Sequence, residues 1–358
     1  MKFTITYHIP VIVLSVLIIF SGDKSYSQNL NLTLAVGGSN YQGDLANSYI
    51  TALRPAISGG FSLNVLNNVR LRTNLSFLQI GADDANSSKA NARNLNFQSN
   101  IFEAAEILEI DLLNSEDNAL VPYVFGGASI YHFDPTTTVK ENDRINFSNV
   151  GIPLNVGEKI HLHDIGTEGQ LFRSVTSGTR TYTNRAYNLT QYNAQLGAGI
   201  RMQLSEAISI AYEFSFRRLS TDYLDDVSAG NFIGANEWNV QIKDAVANNE
   251  LNRAKLLREG EALSWRYLDK NRNLIALPAG NPNRPRGNPN FNDAYFSNQI
   301  RINITLFDFF GGIFNFGGRG SNYGGKWGGK EYYNSKRKTL YSPSNPFGTG
   351  QLRCPRIY

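Results

Sequence analysis

The chain of 358 residues carries 34 Lys and Arg against 30 Asp and Glu, and this small excess of +4 does not indicate a nucleic-acid partner. Aromatic residues make up 12% of the chain, beside 32 glycines and only 2 methionines. Such a composition is typical of a sheet-rich protein with one polar and one apolar face. It fits a membrane barrel and a soluble β protein equally well.

The first element is a predicted secretory signal peptide over residues 1–27. Lys2 supplies a positive start, residues 9–20 form an apolar run, and Ser25-Tyr26-Ser27 forms a small-x-small cleavage site before Gln28. The alternative is an uncleaved anchor, but the run is shorter than the roughly 20 residues of a membrane helix. The cleavage point lacks the cysteine of a lipoprotein. We therefore expect an exported chain that is periplasmic, secreted or an outer-membrane barrel.

Alternation of apolar and polar residues predicts eight strands. In ISIAYEFSFR (208–217) the even positions are all apolar or aromatic, whereas the odd positions include Ser, Glu and Arg. This period of two places the two sets on opposite faces of a strand. The predicted strands cover 29–38, 56–66, 69–77, 97–112, 122–133, 192–204, 208–217 and 295–306.

The connections between these strands alternate in length. Asn67-Asn68, 114–121 and Ser205-Glu206 are short, whereas 39–54, 79–96, 134–190 and 218–294 are long. Short periplasmic turns and long outer loops are typical of an outer-membrane barrel. The pattern predicts an all-β fold over residues 28–306, an eight-stranded antiparallel transmembrane β-barrel with long extracellular loops. A soluble β-sandwich, the alternative, would not sort its connections so regularly.

The interior of this barrel is predicted to be filled by charged side chains. Eight strands enclose only enough room for side chains, and charges in that space must be paired or hydrated. Glu106 falls on the opposite face from Glu103 and Glu109, and its direction stays open at this stage. The expected lumen charges are Arg70, Arg72, Glu103, Glu109, Arg201, Glu213, Arg217 and Arg301.

The segment TDYLDDVSAG (221–230) contains Asp222, Asp225 and Asp226, which could belong to a metal site, a catalytic pair or a loop base. A calcium loop needs regularly spaced oxygens and an early glycine. The spacing here is irregular, and Gly230 comes late. We expect the aspartates to pair with Arg217 and Arg218 and to fix the root of the fourth loop.

Histidines give only weak catalytic or metal-binding signals. His161 and His163, beside Asp164, could supply two metal ligands, but the sequence offers no obvious third one. His132, at the outer end of the fifth strand, could serve a lipid hydrolase together with a serine. We expect no enzyme activity, no metal and no cofactor.

The tail, residues 307–358, is predicted to be a periplasmic docking segment. It has eight Lys and Arg against two acids, and strand parity places it on the periplasmic side. A segment of this composition is disordered or is ordered by a partner. Its only cysteine, Cys354, predicts an intermolecular disulfide. The expected partner-binding residues are Trp327, Tyr332, Tyr333, Lys336, Arg337, Lys338 and Cys354.

Four segments resemble the PorG-like outer-membrane barrels of Bacteroidota: GGSNYQGDL (37–45), RPAISGGFSLN (54–64), PYVFGGASIYHFDP (122–135) and TDYLDDVSAG (221–230). The resemblance covers roughly residues 29–306. It implies an accessory subunit of the type IX secretion and gliding machinery that sits in outer-membrane lipid. The implied partners are periplasmic ring proteins, a PorK-type lipoprotein and a PorN-type protein. The resemblance implies no catalytic residues, and the translocation pore would be a different barrel.

Two alternatives to this function remain open. A surface-binding or envelope-stabilising barrel would act through its long loops, and a lipid-modifying enzyme would depend on His132.

Overall fold

The computed structural model describes residues 30–306 except 46–52, 87–91, 116, 174, 178–179, 183–185, 206, 229–231, 279–285, 289 and 291. The predicted signal peptide and tail lie outside the described residues.

The described chain consists of strands, with four helices in the loops. The strands are β1 (Leu30–Gln42), β2 (Arg54–Leu66), β3 (Val69–Asp83), β4 (Asn96–Asp111), β5 (Leu120–Thr138), β6 (Lys159–His161), β7 (Val175–Ser177), β8 (Arg180–Tyr182), β9 (Thr190–Gln203), β10 (Ile208–Leu219) and β11 (Ala294–Thr305). The helices are α1 (Arg144–Val150), α2 (Leu162–Ile165), α3 (Ala235–Ala247) and α4 (Leu251–Ser264). Single 3-10 turns cover Asp84–Asn86 and Glu141–Asp143.

Eight long antiparallel strands close into a barrel in the order β1, β2, β3, β4, β5, β9, β10, β11. The pairings β4–β5 and β1–β11 complete the cylinder. Following the register once around from Leu32 leads back to β1 at Gln42, ten residues further along the strand. The strands of such a closed, staggered barrel tilt by about 40°. The predicted eight-stranded barrel is confirmed.

The outer surface of the barrel is apolar, and its inner surface is polar. Leu34, Phe61, Phe102 and Leu196 are among the exposed outward side chains, whereas Arg72, Glu109 and Glu213 are buried inside. This distribution suits lipid outside and a polar interior. It follows directly from the period of two in the sequence.

Several strands extend past the apolar belt at the end where the long loops emerge. β5 has 19 residues, and its upper end pairs with the short β6. The predicted strand 122–133 was therefore too short, because above the belt β5 is covered by loop residues instead of lipid.

The long loops fold into a cap. We define the cap as residues 139–189 and 220–293, and it contains all four helices. One apolar cluster joins Phe147, Leu162 and Leu224 of the cap to Tyr131 and Tyr295 at the upper end of the lumen. A second cluster packs Trp238 of α3 against Leu257 of α4 and Phe172. No helix in the described part of the chain is long and apolar enough to cross a membrane.

Two glycines of β9 allow aromatic rings to lie across the lumen. Gly199 faces the Tyr123 ring, and an added Cβ there would lie 2.5 Å from Tyr123 Cζ. Gly197 faces the Phe125 ring in the same way. These glycines provide space where large side chains of β5 fill the interior.

Candidate functional site

The lower lumen, toward the short turns, is organised around Glu109 of β4. Arg201 Nη2 lies 2.7 Å from Glu109 Oε2, and Arg301 Nη1 lies 3.2 Å from Glu109 Oε1. Arg72 makes a third ion pair with the same carboxylate. One buried carboxylate thus joins arginines from β3, β9 and β11 across the barrel.

Glu213 of β10 is the second carboxylate of this layer. Arg72 Nη1 donates to Glu213 Oε1 at 2.7 Å, and the Tyr123 hydroxyl donates to the same oxygen at 2.6 Å. Arg301 pairs with the other oxygen of Glu213. Arg201 also stacks over the Tyr123 ring at 4.4 Å, a cation–π contact that stabilises the buried guanidinium.

Asp111, the last residue of β4, completes the network at the end of the short turns. Its carboxylate lies 3.0 Å from Arg70 and 2.9 Å from Arg201. The sequence analysis missed Asp111. The signal was present, because Asp111 stands two residues after Glu109 and therefore shares its face.

A separate pair fills the upper lumen. Arg217 donates to both oxygens of Glu103 at 3.2 Å, and Arg217 Nη1 donates to Ser297 at 2.7 Å. Asn193 donates to Glu103 at 3.1 Å, and the Tyr295 hydroxyl donates to the same carboxylate. The donors to this buried carboxylate come from β9, β10 and β11.

The structure places all eight predicted lumen charges inside the barrel, within these two networks. Their side chains are almost completely buried except for that of Arg70, of which 13% is exposed. These buried ion pairs hold strands in fixed relative positions, and removing one partner is costly. The hydrogen bonding is not complete, because Arg72 Nε and Nη2 are buried without a hydrogen-bond partner among the described residues. The lumen therefore acts as a packed polar core.

The predicted pairing of the aspartates with Arg217 and Arg218 is wrong. Arg217 is inside the barrel on Glu103, and Arg218 lies on the outward face of β10. Successive residues of a strand point to opposite faces, so the two arginines cannot serve one cluster.

Asp225 and Asp293 instead share the Tyr41 hydroxyl at the top of the lumen. The Tyr41 oxygen lies 2.6 Å from Asp225 Oδ2 and 2.7 Å from Asp293 Oδ1. A hydroxyl donates only one hydrogen bond, so a second proton must reside on one of the carboxyls. Burial, and then the neighbouring carboxylate in the case of Asp225, raises the pKa of both aspartates well above the usual range.

Asp226 binds cap residues. The Tyr187 hydroxyl donates to Asp226 Oδ1 at 2.8 Å, the Thr167 hydroxyl donates to Oδ2, and Arg286 lies 3.8 Å away. Asp226 has a φ of 64°, a left-handed conformation that non-glycine residues seldom adopt. These contacts attach the root of loop 220–293 to loop 139–189.

Asp222 differs from its neighbours because both carboxylate oxygens are buried and the Ser228 side chain is the nearby group that partly offsets the effect of burial on its pKa. Burial, the largest cause, raises the pKa of Asp222 from 3.8 to about 7. The described residues contain no group of three or more His, Cys, Asp or Glu that could hold a metal ion.

The histidines bind separate partners. His161 Nδ1 lies 2.9 Å from Asp134 Oδ1, whereas His163 Nε2 lies 3.0 Å from the Tyr187 carbonyl oxygen. His132 Nδ1 lies 3.0 Å from Thr190 Oγ1. The geometry does not bring the three rings to one centre.

The cap contains an open cleft of about 480 Å³ between α1, α3 and α4. The sequence analysis treated these segments as plain loops and did not find it. Arg258 and Glu261 of α4 lie on one side, and burial raises the pKa of Glu261 to about 7. The other polar lining residues are Asn146, Asn149, Asn239 and Lys243.

The predicted partner-binding residues Trp327, Tyr332, Tyr333, Lys336, Arg337, Lys338 and Cys354 lie outside the described residues.

A closed barrel of eight strands, with an apolar outside, a charge-filled inside and short turns at one end, defines the class of outer-membrane-type β-barrels. Residues 10–183, just under half of the chain, match the family model described as "Domain of unknown function (DUF6089)". No curated protein matches the chain.

Three solved barrels are similar at low identity. Neisserial surface protein A is 6% identical with a TM-score of 0.35, covering 77% of this chain and 96% of its own. Ail, the attachment invasion locus protein of Yersinia pestis, is 5% identical with a TM-score of 0.33, covering 78% and 99%. The N-terminal barrel domain of Pseudomonas aeruginosa OprF is 8% identical with a TM-score of 0.28, covering 78% and 100%. The strand register, and not these scores, establishes the barrel.

Proposed function

We propose that this chain is a non-enzymatic outer-membrane barrel that anchors a periplasmic protein assembly through its tail. The assembly is the ring of the type IX secretion and gliding machinery, formed by a PorK-type lipoprotein and a PorN-type protein. The barrel sits in outer-membrane lipid and does not conduct the secreted protein.

The filled lumen is the observation that supports an anchoring role. Glu109, Glu213 and their arginines cross the barrel in one layer, and Glu103 with Arg217 forms a second. A transport function would require these buried pairs to separate, which costs several kcal/mol for each uncompensated ion. A rigid barrel without a passage suits a fixed attachment point.

The tail has the chemistry of a docking segment. Residues 307–358 combine eight basic residues with Trp327, Tyr332 and Tyr333, and aromatic and basic side chains dominate the energetics of protein interfaces. A polypeptide that leaves β11 at the short-turn end enters the periplasm, where a ring protein can bind it. Cys354 can add an intermolecular disulfide to the same contact.

Truncation of residues 307–358 tests the proposal. We expect ring proteins to co-purify with the full chain and to be lost from the truncated chain, while the barrel stays in the outer membrane and keeps its heat-modifiable gel mobility. Substituting Lys336, Arg337 and Lys338 by Gln should weaken capture and make it less salt-sensitive. Unchanged co-purification after truncation would refute the docking role.

The cap cleft favours a second candidate function, surface binding through the loops. Its amide, basic and acidic side chains around an apolar wall could bind a polar ligand or a peptide outside the cell. Under this alternative, Asn239→Ala together with Arg258→Ala would abolish binding of the ligand by the cap, whereas tail truncation would have no effect on that binding. The docking proposal expects the opposite result.

A further inference from the structure

The cleft of about 480 Å³ in the cap is lined by one face of each of three helices. On α1 the lining residues are Asn146, Asn149 and Val150, and on α4 they are Arg258, Glu261 and Ala262. On α3 they are Ala235, Asn239, Ile242 and Lys243. Steps of three and four residues keep side chains on the same face of a helix. Each helix therefore presents one continuous stripe to the cleft.

Most polar side chains of this cleft have no partner within the protein. Within the described part of the chain, five of them make no hydrogen bond or ion pair: Asn149, Asn239, Lys243, Arg258 and Glu261. Arg258 and Glu261 are half-buried nonetheless. By contrast, Arg253, Arg266 and Arg286, the other arginines inside the cap, each form an ion pair. Unused polar groups that converge on one concave surface are typical of a ligand site.

The charges of the cleft are separated along the helices. Helices α3 and α4 are joined by a short turn and run antiparallel. An added Cβ on Gly260 would lie 3.0 Å from Trp238 Cη2, so these two residues are level with each other. Lys243 is then about 9 Å from Glu261 along the axis, at 1.5 Å per residue, and Arg258 lies between them. The cleft has a basic end and an acidic end.

Asparagine amides supply the remaining polar groups. Asn146 Nδ2 donates to the Ala262 carbonyl oxygen at 3.0 Å and to the Trp265 carbonyl oxygen, which leaves Oδ1 as an acceptor for a ligand. Asn239 stands one turn before Lys243 on the same face of α3. A carboxamide both donates and accepts, so it can bind the N–H and the C=O group of a peptide bond.

The rest of the lining is aliphatic and comprises Val150, Ala235, Ile242, Ala262 and Leu277. No aromatic ring lines the cleft among the described residues, so a nucleobase would have no ring on which to stack. Glu261 would repel a polyphosphate or another polyanion. A zwitterion with an aliphatic side chain fits this set of groups.

We propose that the cleft binds a short peptide of about three residues with free ends. The ammonium group of the peptide pairs with Glu261, and its carboxylate pairs with Lys243 and Arg258. Its main-chain amides bind Asn239 and Asn146, and an aliphatic side chain packs on the aliphatic wall. Three extended residues span about 10 Å, which matches the separation of the two charged ends. This inference rests on the second candidate function, surface binding by the cap, and does not depend on docking of the tail.

Titration calorimetry of the full chain in lipid nanodiscs tests the inference, with the tripeptide Ala-Leu-Ala as the probe. We expect the free tripeptide to bind. Acetylation of its amino end or amidation of its carboxyl end should each weaken binding about tenfold, the order expected from losing a hydrogen bond between charged groups. Equal affinities of the free and the two blocked peptides would overturn the proposal.

Substitutions then assign each end of the peptide. Glu261→Gln should weaken binding of the free tripeptide about tenfold and leave the affinity of the acetylated peptide unchanged. Lys243→Gln with Arg258→Gln should do the same for the amidated peptide. The matched control is Lys255→Gln, at an α4 side chain that is 71% exposed and paired with Glu259. Resistance of the cap to proteinase K reports that each variant is folded, and an equal loss in the control would overturn the assignment.

A neutral trisaccharide, chitotriose, separates this inference from the function on which it rests. Binding of chitotriose without binding of the tripeptide would overturn the peptide assignment and leave surface binding by the cap standing. Binding of neither probe would overturn both. Truncation of residues 307–358 should leave the affinity for the tripeptide unchanged, whatever its effect on the capture of ring proteins.

Discussion

At the scale of single residues, the relative positions of the barrel strands depend on charged side chains that are buried from water. Glu109 accepts ion pairs from Arg72, Arg201 and Arg301 and is 2% exposed. Each arginine comes from a different strand, so one carboxylate fixes several inter-strand positions. Asp222, Asp225 and Asp293 at the top of the lumen are buried as well, but they lie near other acids. The two groups therefore respond differently to mutation and to pH.

We expect Glu109→Gln to lower the free energy of unfolding by about 3–5 kcal/mol, because three guanidinium groups lose a buried counter-charge. The measurement is urea-induced unfolding in lipid vesicles, followed by far-UV circular dichroism and by gel mobility. The control is Ile110→Val on the outward face of the same strand, which should cost less than about 1 kcal/mol. A cost for Glu109→Gln as small as that of the control would contradict the role of the network.

We expect the cap to be more stable near pH 5 than near pH 8. The pKa of Asp222 is raised to about 7 in the folded state, and burial also raises the pKa values of Asp225 and Asp293. The folded cap therefore binds more protons than the unfolded loops. Its stability is highest below the ordinary aspartate pKa of about 4 and falls as the pH rises toward the folded values.

The thermal midpoint of Trp238 and Trp265 fluorescence, measured with Trp327 replaced by Phe, follows the cap alone. Asp222→Asn should reduce the difference between the two pH values, whereas Asp164→Asn, at a side chain that is 67% exposed, should leave it unchanged. A thermal midpoint that rises from pH 5 to pH 8 would contradict the predicted pH dependence of the stability of the cap.

At the scale of elements, single arginines fasten the loops to the strands. Arg266, two residues after the end of α4, donates to Asp143 Oδ1 at 2.8 Å and to Thr137 of β5 at 2.9 Å. Arg93 Nη2 donates to the Asp44 carbonyl oxygen beyond β1 at 2.7 Å, and Arg286 Nε lies 2.9 Å from Glu168. Because these contacts join segments far apart in the chain, the cap is an ordered extension of the barrel.

We expect Arg266→Met to loosen the cap while leaving the barrel folded. The substitution removes the buried partner of Asp143, and a cost of about 3 kcal/mol corresponds to a more than hundredfold increase in cap opening. Proteinase K should then cleave within 139–189 and 220–293 at a correspondingly higher rate. Arg144→Met, which removes an exposed pair with Glu141, is the matched control and should change the rate little. Equal rates for both variants would contradict the fastening role.

At the scale of the whole molecule, the described residues form a closed cylinder with a filled interior and a folded cap at one end. The lumen networks cross it in two layers, and apolar residues such as Tyr131 and Tyr295 continue above them into the cap. A polypeptide chain cannot pass without separating buried ion pairs. This filled interior supports the proposed anchoring role.

We expect the purified protein to produce no open-pore steps in planar lipid bilayers. The lumen layers close the barrel by themselves, so proteolytic removal of the cap should leave the membrane equally non-conducting. A steady unit conductance of the size of a water-filled pore, before or after proteolysis, would contradict the filled interior.

The sequence determined the parts of the structure that depend on local alternation. Eight strands, their inner and outer faces and the eight lumen charges follow from a period of two, because neighbouring side chains of a strand must point in opposite directions. The same rule sets Glu106 opposite Glu103, and the register shows that its face is the outer one.

Only the tertiary structure decided which of these residues meet. Tyr41 lies on Asp225 and Asp293, which are 184 and 252 residues away in sequence, because closing the barrel brings the top of β1 beside loop 220–293. The aspartates therefore bind Tyr41, Tyr187 and Thr167 instead of the neighbouring arginines. Helices α3 and α4 were missed for a related reason: their buried faces pack on cap residues that the chain supplies from another loop. Local pattern fixes the direction of a side chain, whereas its partner depends on how distant segments are brought together when the barrel closes.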